Sequence, residues 1–129
     1  MKIIKCRYCM SFITDMIFAS VRSRLTQKGV DWKSIVNTKL TPEQFYTHIP
    51  QIDHAFYNDH NFEIVLDCRG YEPKDVTASL SQDEVVIKAE REDKNMSKMY
   101  PGMPKIWDPD SGDCCMSTEG IILVTGAWK

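Results

Sequence analysis

Apolar and polar residues alternate along the middle of the chain. Phe62, Ile64 and Leu66 fall on one side of an extended segment, whereas Glu63 and Asp67 fall on the other. A period of two residues is typical of a β-strand with one buried face, because successive side chains of a strand point to opposite sides. This segment is therefore predicted to form a strand.

Two further strands are predicted after a turn. Within residues 70–75, Pro73 fixes its own φ and keeps the preceding residue out of the helical region. Residues 76–80 and 84–89 again alternate, and the polar residues 81–83 between them indicate a corner. Short alternating strands favour antiparallel sheets with one wet face, and two such sheets facing each other form a sandwich.

The N-terminal region has a different period. Apolar side chains recur three or four positions apart between residues 9 and 27, which predicts an amphipathic helix that Gly29 ends. Thr41, Pro42 and Gln44 supply the N-cap, the first-turn proline and the capping-box partner of a second, short helix.

The C-terminal part adds another strand pair. Aliphatic and β-branched residues at 121–125 follow a tight turn, and a shorter strand is predicted at 114–117. Residues 92–106 are polar and then rich in Pro and Gly, so we interpret them as a loop. We expect an all-β sandwich at residues 56–129, preceded by a partly helical extension at residues 1–55.

Composition narrows the classes of function. The chain has 129 residues, a formal net charge of -2 and a pI near 5.9. This balance gives no general attraction to a phosphate backbone. A basic start followed by an apolar stretch is superficially like a leader peptide, but Asp15 interrupts the stretch, which is also too short to span a bilayer. We expect neither a nucleic acid nor a membrane as a partner.

The cysteines are Cys6, Cys9, Cys68, Cys114 and Cys115. An odd number with two adjacent members is not typical of a stapled secreted fold. We interpret all five as reduced thiols of an intracellular protein, cytoplasmic with the nucleus as a second location. Cys6 and Cys9 with the adjacent pair also suit zinc, but neighbouring strand residues point to opposite faces, so buried thiols are favoured. We expect no metal and no other cofactor.

Catalytic patterns are weak. The sequence contains no Gly-x-Ser-x-Gly elbow and no glycine-rich phosphate loop. His48, His54 and His60 are six residues apart, which separates neighbouring histidines by roughly 20 Å in an extended chain. We therefore predict a solvated segment rather than a shared site, and we expect no enzyme activity and no catalytic residue.

Two motifs, taken together, resemble the α-crystallin domain of small heat shock proteins. The first is the Gly-aromatic-x-Pro-x-acid-aliphatic step at residues 70–76, and the second is the Ser-x-acid-Gly-aliphatic-aliphatic turn at residues 117–122. Their order and spacing extend the resemblance over roughly residues 62–127. It implies an immunoglobulin-like antiparallel β-sandwich. It also implies an ATP-independent holdase chaperone of the stress response, which binds partly unfolded client proteins and suppresses their aggregation.

In that family a groove between two edge strands accepts extended peptides. Carried over by motif position, the groove is lined by Val76, Ala78, Leu80, Cys114 and Met116. The same positions also suit inward-facing core residues, and strand alternation does not separate the two interpretations.

Family members also use apolar N-terminal segments for client binding and assembly. The corresponding candidates are Phe12, Ile13, Met16, Ile17 and Val21. A helix docked on the sandwich is the alternative, and helical periodicity favours it at least as well.

The chain departs from the family pattern in three places. It ends at Lys129 without an Ile-x-Ile-type tail motif, and the strand that forms the dimer in animal members is shortened to a remnant around Lys98 and Tyr100. Lys98 also stands where the family has an arginine, whose bidentate fork a lysine cannot reproduce. We therefore expect a monomer or a small oligomer.

These departures leave a second function open. The alternative is a degenerate structural or regulatory module that co-assembles with longer small heat shock proteins. Shielding of clients requires strand edges that the chain's own segments leave uncovered, and we expect such bare edges here.

Overall fold

Nine strands in two sheets form the body of the molecule, and the chain also forms three short helices. The computed structural model describes residues 1–129, apart from the side chain of Phe45. The strands are β1 (Lys2–Lys5), β2 (Arg7–Tyr8), β3 (Asp53–Tyr57), β4 (Asn61–Asp67), β5 (Val76–Leu80), β6 (Glu84–Arg91), β7 (Lys94–Pro101), β8 (Asp113–Met116) and β9 (Ile121–Ala127). The helices are α1 (Ala19–Gln27), α2 (Trp32–Asn37) and α3 (Pro42–Thr47), with 3-10 turns at Met16–Phe18, Pro73–Asp75 and Pro109–Ser111.

The two sheets face each other as predicted. One has the strand order β1-β5-β6-β7 and the other the order β2-β8-β9-β4-β3. Neighbouring strands run antiparallel except β2 and β8, which run parallel. The predicted β-sandwich with a helical N-terminal extension is confirmed.

The core between the sheets follows the predicted alternation. Phe62, Ile64 and Leu66 all point into it from β4. Trp107 packs edge-on against Phe62 with ring centroids 4.8 Å apart.

The opposite face of β4 is not wet, contrary to the prediction. Phe12, Phe18, Val21 and Leu25 from the extension form a second cluster with Val65. The helices thus cover the outer side of this sheet, which alternation within the strand alone does not reveal.

Acidic residues on that covered face are buried and paired. Glu63 accepts a hydrogen bond from Ser20 at 2.8 Å and lies 3.6 Å from Arg24. Both partners belong to α1, so the helix supplies the polar groups that the buried carboxylate requires.

The first helix begins later than predicted. Asp15 accepts a hydrogen bond from the Ile17 amide at 3.1 Å and caps the 3-10 turn that leads into α1. Residues 9–15 are therefore not helical, whereas the end near Gly29, with φ of 79°, agrees with the prediction. The capping box of α3 is confirmed, with Thr41 and Gln44 bonded reciprocally at 3.3 and 2.9 Å.

The interpretation of residues 92–106 as a loop is wrong for β7. This strand pairs with β6 over its full length. Its half-buried positions are Lys94, Met96, Lys98 and Tyr100, so two lysines interrupt the apolar period that would have indicated a strand. The division of the chain after residue 55 stays a prediction, although β1 and β2 of the extension belong to the two sheets.

Candidate functional site

The five predicted groove residues lie on two strands from opposite sheets. β5 carries Val76, Ala78 and Leu80, and β8 carries Cys114 and Met116. All five are buried in the cluster between the sheets. We call the space between β5 and β8, with one wall from each sheet, the cleft.

An extended segment of the chain itself occupies the cleft. Residues 2–8, here called the N-terminal arm, pair first with β5, where Lys2 lies opposite Leu80. They pair next with β8, where Tyr8 lies opposite Met116. The expectation that the chain leaves these two edges uncovered is therefore wrong, because the arm is bonded to both walls.

A disulfide fastens the arm where it crosses between the sheets. The Cys6 amide donates to the Val76 carbonyl at 3.2 Å. Cys6 is also joined to Cys114, with a Cα–Cα distance of 4.8 Å across a sequence separation of 108. The prediction that all cysteines are reduced is wrong for this pair. Two cysteines 108 positions apart form no local sequence motif, so the sequence alone did not indicate the bond.

The ion pairs of the arm are at the surface. Arg7 donates to both carboxylate oxygens of Asp113, at 3.3 and 2.7 Å. Lys2 lies 3.6 Å from Asp110, and this pair and the previous one are solvent-exposed. Exposed ion pairs contribute about 0–1 kcal/mol each, so backbone pairing and the disulfide dominate the attachment.

A second pair of sulfurs lies on the other side of β8. The Cys9 amide donates to the Met116 carbonyl at 2.9 Å, and Cys9 packs against the cluster under the helices that contains Cys115. Burial raises the pKa of both thiols. The prediction of reduced thiols is confirmed for Cys9, Cys68 and Cys115.

The cysteines considered as zinc ligands do not come together in one site. Cys6 and Cys114 are bonded to each other, while Cys115 belongs to the cluster on the opposite face of β8. Across the described residues, no group of three or more His, Cys, Asp or Glu side chains could hold a metal ion.

The predicted N-terminal contact residues divide into buried and exposed members. Phe12 and Val21 are fully buried in the cluster between the helical extension and the sheet, and Ile13 packs partly against the same cluster. Met16 and Ile17 remain exposed, at 78% and 39%. Phe12 and Val21 cannot reach a client in this conformation, so the docked-helix alternative describes them better.

Lys98 and Tyr100, the predicted remnant of a dimerisation loop, connect the two sheets. Tyr100 donates from its hydroxyl to Asp53 at 2.6 Å, and the Lys98 ammonium lies 3.5 Å from the same carboxylate. Burial and the bond to Asp53 raise the pKa of Tyr100 well above its usual range. The pair therefore fixes β7 to β3 at the side of the sandwich away from the cleft.

Sequence reasoning missed a buried ionic cluster beside the helices. Asp67 accepts hydrogen bonds from Arg69 Nη2 at 3.0 Å and lies 2.9 Å from His48 Nε2. Arg69 also donates to the carbonyls of Ile35 and Thr38, at 2.9 and 2.6 Å. The Asp-x-Arg spacing was the available signal, but the carbonyl partners come from α2 and its end and could not be foreseen.

Glu119 anchors the chain just after the arm. It accepts hydrogen bonds from the Ser11 hydroxyl at 2.6 Å and from the Phe12 amide at 2.7 Å. Because Phe12 is fully buried, the chain is fixed at this point independently of the cleft.

Comparison with solved structures identifies heat shock proteins. Heat shock protein 16.0 from Schizosaccharomyces pombe aligns with a TM-score of 0.52 and 16% identity, over 61% of this chain and 86% of that one. A small heat-shock protein from Xylella fastidiosa aligns with 0.51 and 15%, over 63% and 86%. A mutant of hsp14.1 from a Sulfolobus species aligns with 0.51 and 17%, over 90% and 94%.

Sequence comparison adds no relative. No protein-family model matches the chain, and no curated protein sequence matches it. The structural likenesses, at these identities, establish the fold rather than an activity. No helix among the described residues is both long and apolar enough to cross a lipid bilayer.

Proposed function

We propose that this chain, whose fold is the α-crystallin β-sandwich of small heat shock proteins, is an ATP-independent holdase chaperone. It binds extended apolar segments of partly unfolded proteins in the cleft after the N-terminal arm has left it, and it thereby suppresses their aggregation. One observation carries the proposal: an extended segment, the N-terminal arm, already lies in the cleft and pairs with both of its walls.

The energetics of such binding are those of strand addition. A client segment in the cleft would gain main-chain hydrogen bonds to β5 and β8 and cover apolar surface beneath it. Each Å² of apolar surface removed from water contributes about 25 cal/mol. Capping a client's own bare strand edge also removes a template for aggregation, and none of these steps requires turnover of a substrate.

Exposed apolar side chains near the arm offer a second contact. Met10 donates its amide to Asp15 at 3.3 Å, which holds it near Met16 and Ile17. All three side chains are exposed. Methionine adapts to irregular apolar surfaces, so this patch supports contact with clients of varied sequence in the cytoplasm during stress.

The direct test is heat aggregation of a generic client protein without ATP. We expect reduced light scattering when the chain is present at equimolar or higher ratio, because covered apolar segments cannot associate. A peptide with the sequence of residues 1–9 should compete for the cleft and restore scattering, whereas a scrambled peptide should not. Absence of suppression at every ratio and in either redox state would sink the proposal.

A second function is favoured by the same occupied cleft. A chain that fills its own cleft does not need clients to complete its sheets, and it would then serve as a structural or regulatory module. The last strands of the sheets, β3 and β7, would pair with longer small heat shock proteins. Capture experiments discriminate the two functions, because full-length relatives would be recovered in this case and diverse unfolded polypeptides in the first.

A further inference from the structure

We infer that the N-terminal arm is a removable lid and that the Cys6–Cys114 disulfide decides whether the cleft is open to another polypeptide. The inference rests on the proposed function for the identity of the occupant, which is an extended apolar segment of an unfolded protein. The contacts of the arm alone support the lid.

Few side chains hold the arm in place. Cys6 is buried and Ile4 is partly buried against the core. Ile3 and Tyr8 are 61% and 64% exposed. Without the disulfide, the arm would depend on short stretches of backbone pairing and little apolar contact.

The chain beyond the arm is fixed separately. Glu119 bonds Ser11 and the amide of Phe12, at 2.6 and 2.7 Å, and the Phe12 side chain is fully buried. Arg22 adds a hydrogen bond to the Phe12 carbonyl at 2.7 Å. Residues 2–8 can therefore leave the cleft by rotation about the short segment before this anchor, while the helices stay docked.

Departure of the arm would uncover a site that is otherwise complete. The β5 edge opposite residues 2–5 and the β8 edge opposite residues 7–8 would both lose their partner. These two edges are the walls of the cleft and accept an extended chain of either origin. Arm and client are therefore mutually exclusive occupants.

The opening step is thiol–disulfide exchange with a dithiol reductant. One thiolate of the reductant attacks the sulfur of Cys6, the cysteine of the arm, and forms a mixed disulfide with it. Cys114 leaves as a thiolate and takes a proton. The second thiol of the reductant then displaces Cys6, so the protein gains two electrons and two protons and the reductant ends as a disulfide.

Oxidation state thus sets the competition for the cleft. With the bond closed, the arm cannot leave. With the bond open, the arm competes only through its effective concentration as a tethered segment, and a client at sufficient concentration replaces it.

The test measures cleft access in both redox states. Peptide mapping without reductant first verifies that Cys6 and Cys114 are bonded in the oxidised protein. A fluorescein-labelled peptide of residues 1–9, with both cysteines replaced by serine, is then titrated and followed by anisotropy. Hydrogen exchange of residues 2–8 and 76–80 is measured in parallel.

Two variants separate the effect of the Cys6–Cys114 disulfide from a general effect of replacing a cysteine. Cys6→Ser should bind the peptide without reductant, and Cys9→Ser, which keeps the disulfide, should behave as the wild type. We expect binding about tenfold tighter or more, and faster exchange, in the reduced wild type and in Cys6→Ser. If Cys6→Ser does not fold, wild type reduced and blocked with N-ethylmaleimide replaces it.

The outcomes distinguish this inference from the proposed function. Equal peptide binding and equal exchange in both redox states, or absence of the Cys6–Cys114 bond from the oxidised protein, would overturn the lid. Redox-dependent peptide binding without suppression of aggregation would uphold the lid and refute the holdase. Suppression of client aggregation that is equal in both redox states would uphold the holdase and refute the lid.

Discussion

Asp67 shows how a single buried charge depends on its partners. Burial alone raises the pKa of this carboxyl, but hydrogen bonds and the positive charge from Arg69, with a smaller contribution from His48, outweigh burial and lower it. The ionised form is therefore the one that the fold stabilises. Since Arg69 also holds the carbonyls at the end of α2, the carboxylate links the helices to β4.

Replacing Asp67 with asparagine should destabilise the protein. The variant leaves the Arg69 charge buried without its partner, and breaking such a pair costs about 3–5 kcal/mol. Urea unfolding gives the difference. Asp59→Asn is the matched control, because the Asp59 side chain is 97% exposed and its ion pair with Lys105 is long at 4.0 Å. This substitution should change the free energy of unfolding by less than about 0.5 kcal/mol. Equal effects of the two substitutions would contradict this account.

The same cluster predicts the response to acid. The folded pKa of Asp67 lies below its unfolded value of about 3.9, so its contribution is present above that value and is lost as the pH falls through the folded pKa. Unfolding free energy should drop below about pH 4 in the wild type. The drop should be smaller in Asp67→Asn, and parallel pH curves for the two proteins would rule out a role for this carboxyl.

The reactivity of each free thiol should depend on how deeply it is buried. Burial raises the pKa of Cys68 and of Cys115 well above the usual range, and it also raises that of Cys9, which is only partly buried. Because the thiolate is the reactive form, iodoacetamide at pH 8 should modify Cys9 first and leave Cys68 intact in the folded protein. Mass spectrometry of peptides identifies the sites, and all three thiols should react in urea. Rapid native labelling of Cys68 would contradict the burial argument.

The turn between β8 and β9 holds the segment that follows the N-terminal arm in place through Glu119. Glu119→Ala removes the acceptor for the Ser11 hydroxyl and the Phe12 amide, and an unsatisfied buried donor costs about 1–3 kcal/mol. We expect that loss in urea unfolding together with faster exchange of the Phe12 amide. Glu92→Ala, in an exposed turn, is the control, and unchanged exchange at Phe12 would contradict the anchor.

The elements that could be read from sequence were those with a local signal. The strand at residues 76–80 and the Thr41 capping box depend on neighbours a few positions away, and both are present. β7 was missed because Lys94 and Lys98 occupy inward positions, where lysine stems cover apolar surface. The Lys98 ammonium reaches Asp53, and the Lys94 ammonium lies 4.3 Å from the centroid of the Tyr71 ring. Local pattern does not encode such tertiary exceptions.

The sequence predicted the two strands that form the cleft but not the N-terminal arm that occupies it. Val76 and Met116 lie on the expected strands at the cleft. Residues 2–8 give no clear strand signal, because Ile3 and Ile4 break the alternation in an already short segment. The pairing of Cys6 with Cys114 depends on a contact between residues 108 positions apart. Contacts of that separation follow from the fold rather than from any stretch of sequence.

Occupancy of the cleft by the arm bears on how copies of the chain associate. A neighbour's segment cannot dock between β5 and β8 while residues 2–8 are covalently held there. At the other side of the sandwich, Lys98 and Tyr100 are committed to Asp53 within the same chain. Association is then left to the outer edges of β3 and β7, and inward-pointing charge on an edge strand opposes edge-to-edge pairing.

We therefore expect the oxidised protein to be a monomer or a small oligomer. Light scattering coupled to size exclusion should give a mass near 14.9 kDa or a low multiple of it. The control is Cys6→Ser under the same conditions, in which release of the arm frees both the cleft and a segment that fits a neighbour's cleft, so its mean mass should rise with concentration. A stable assembly of a dozen or more oxidised copies would show that surfaces other than the cleft drive association, because the locked arm excludes docking there.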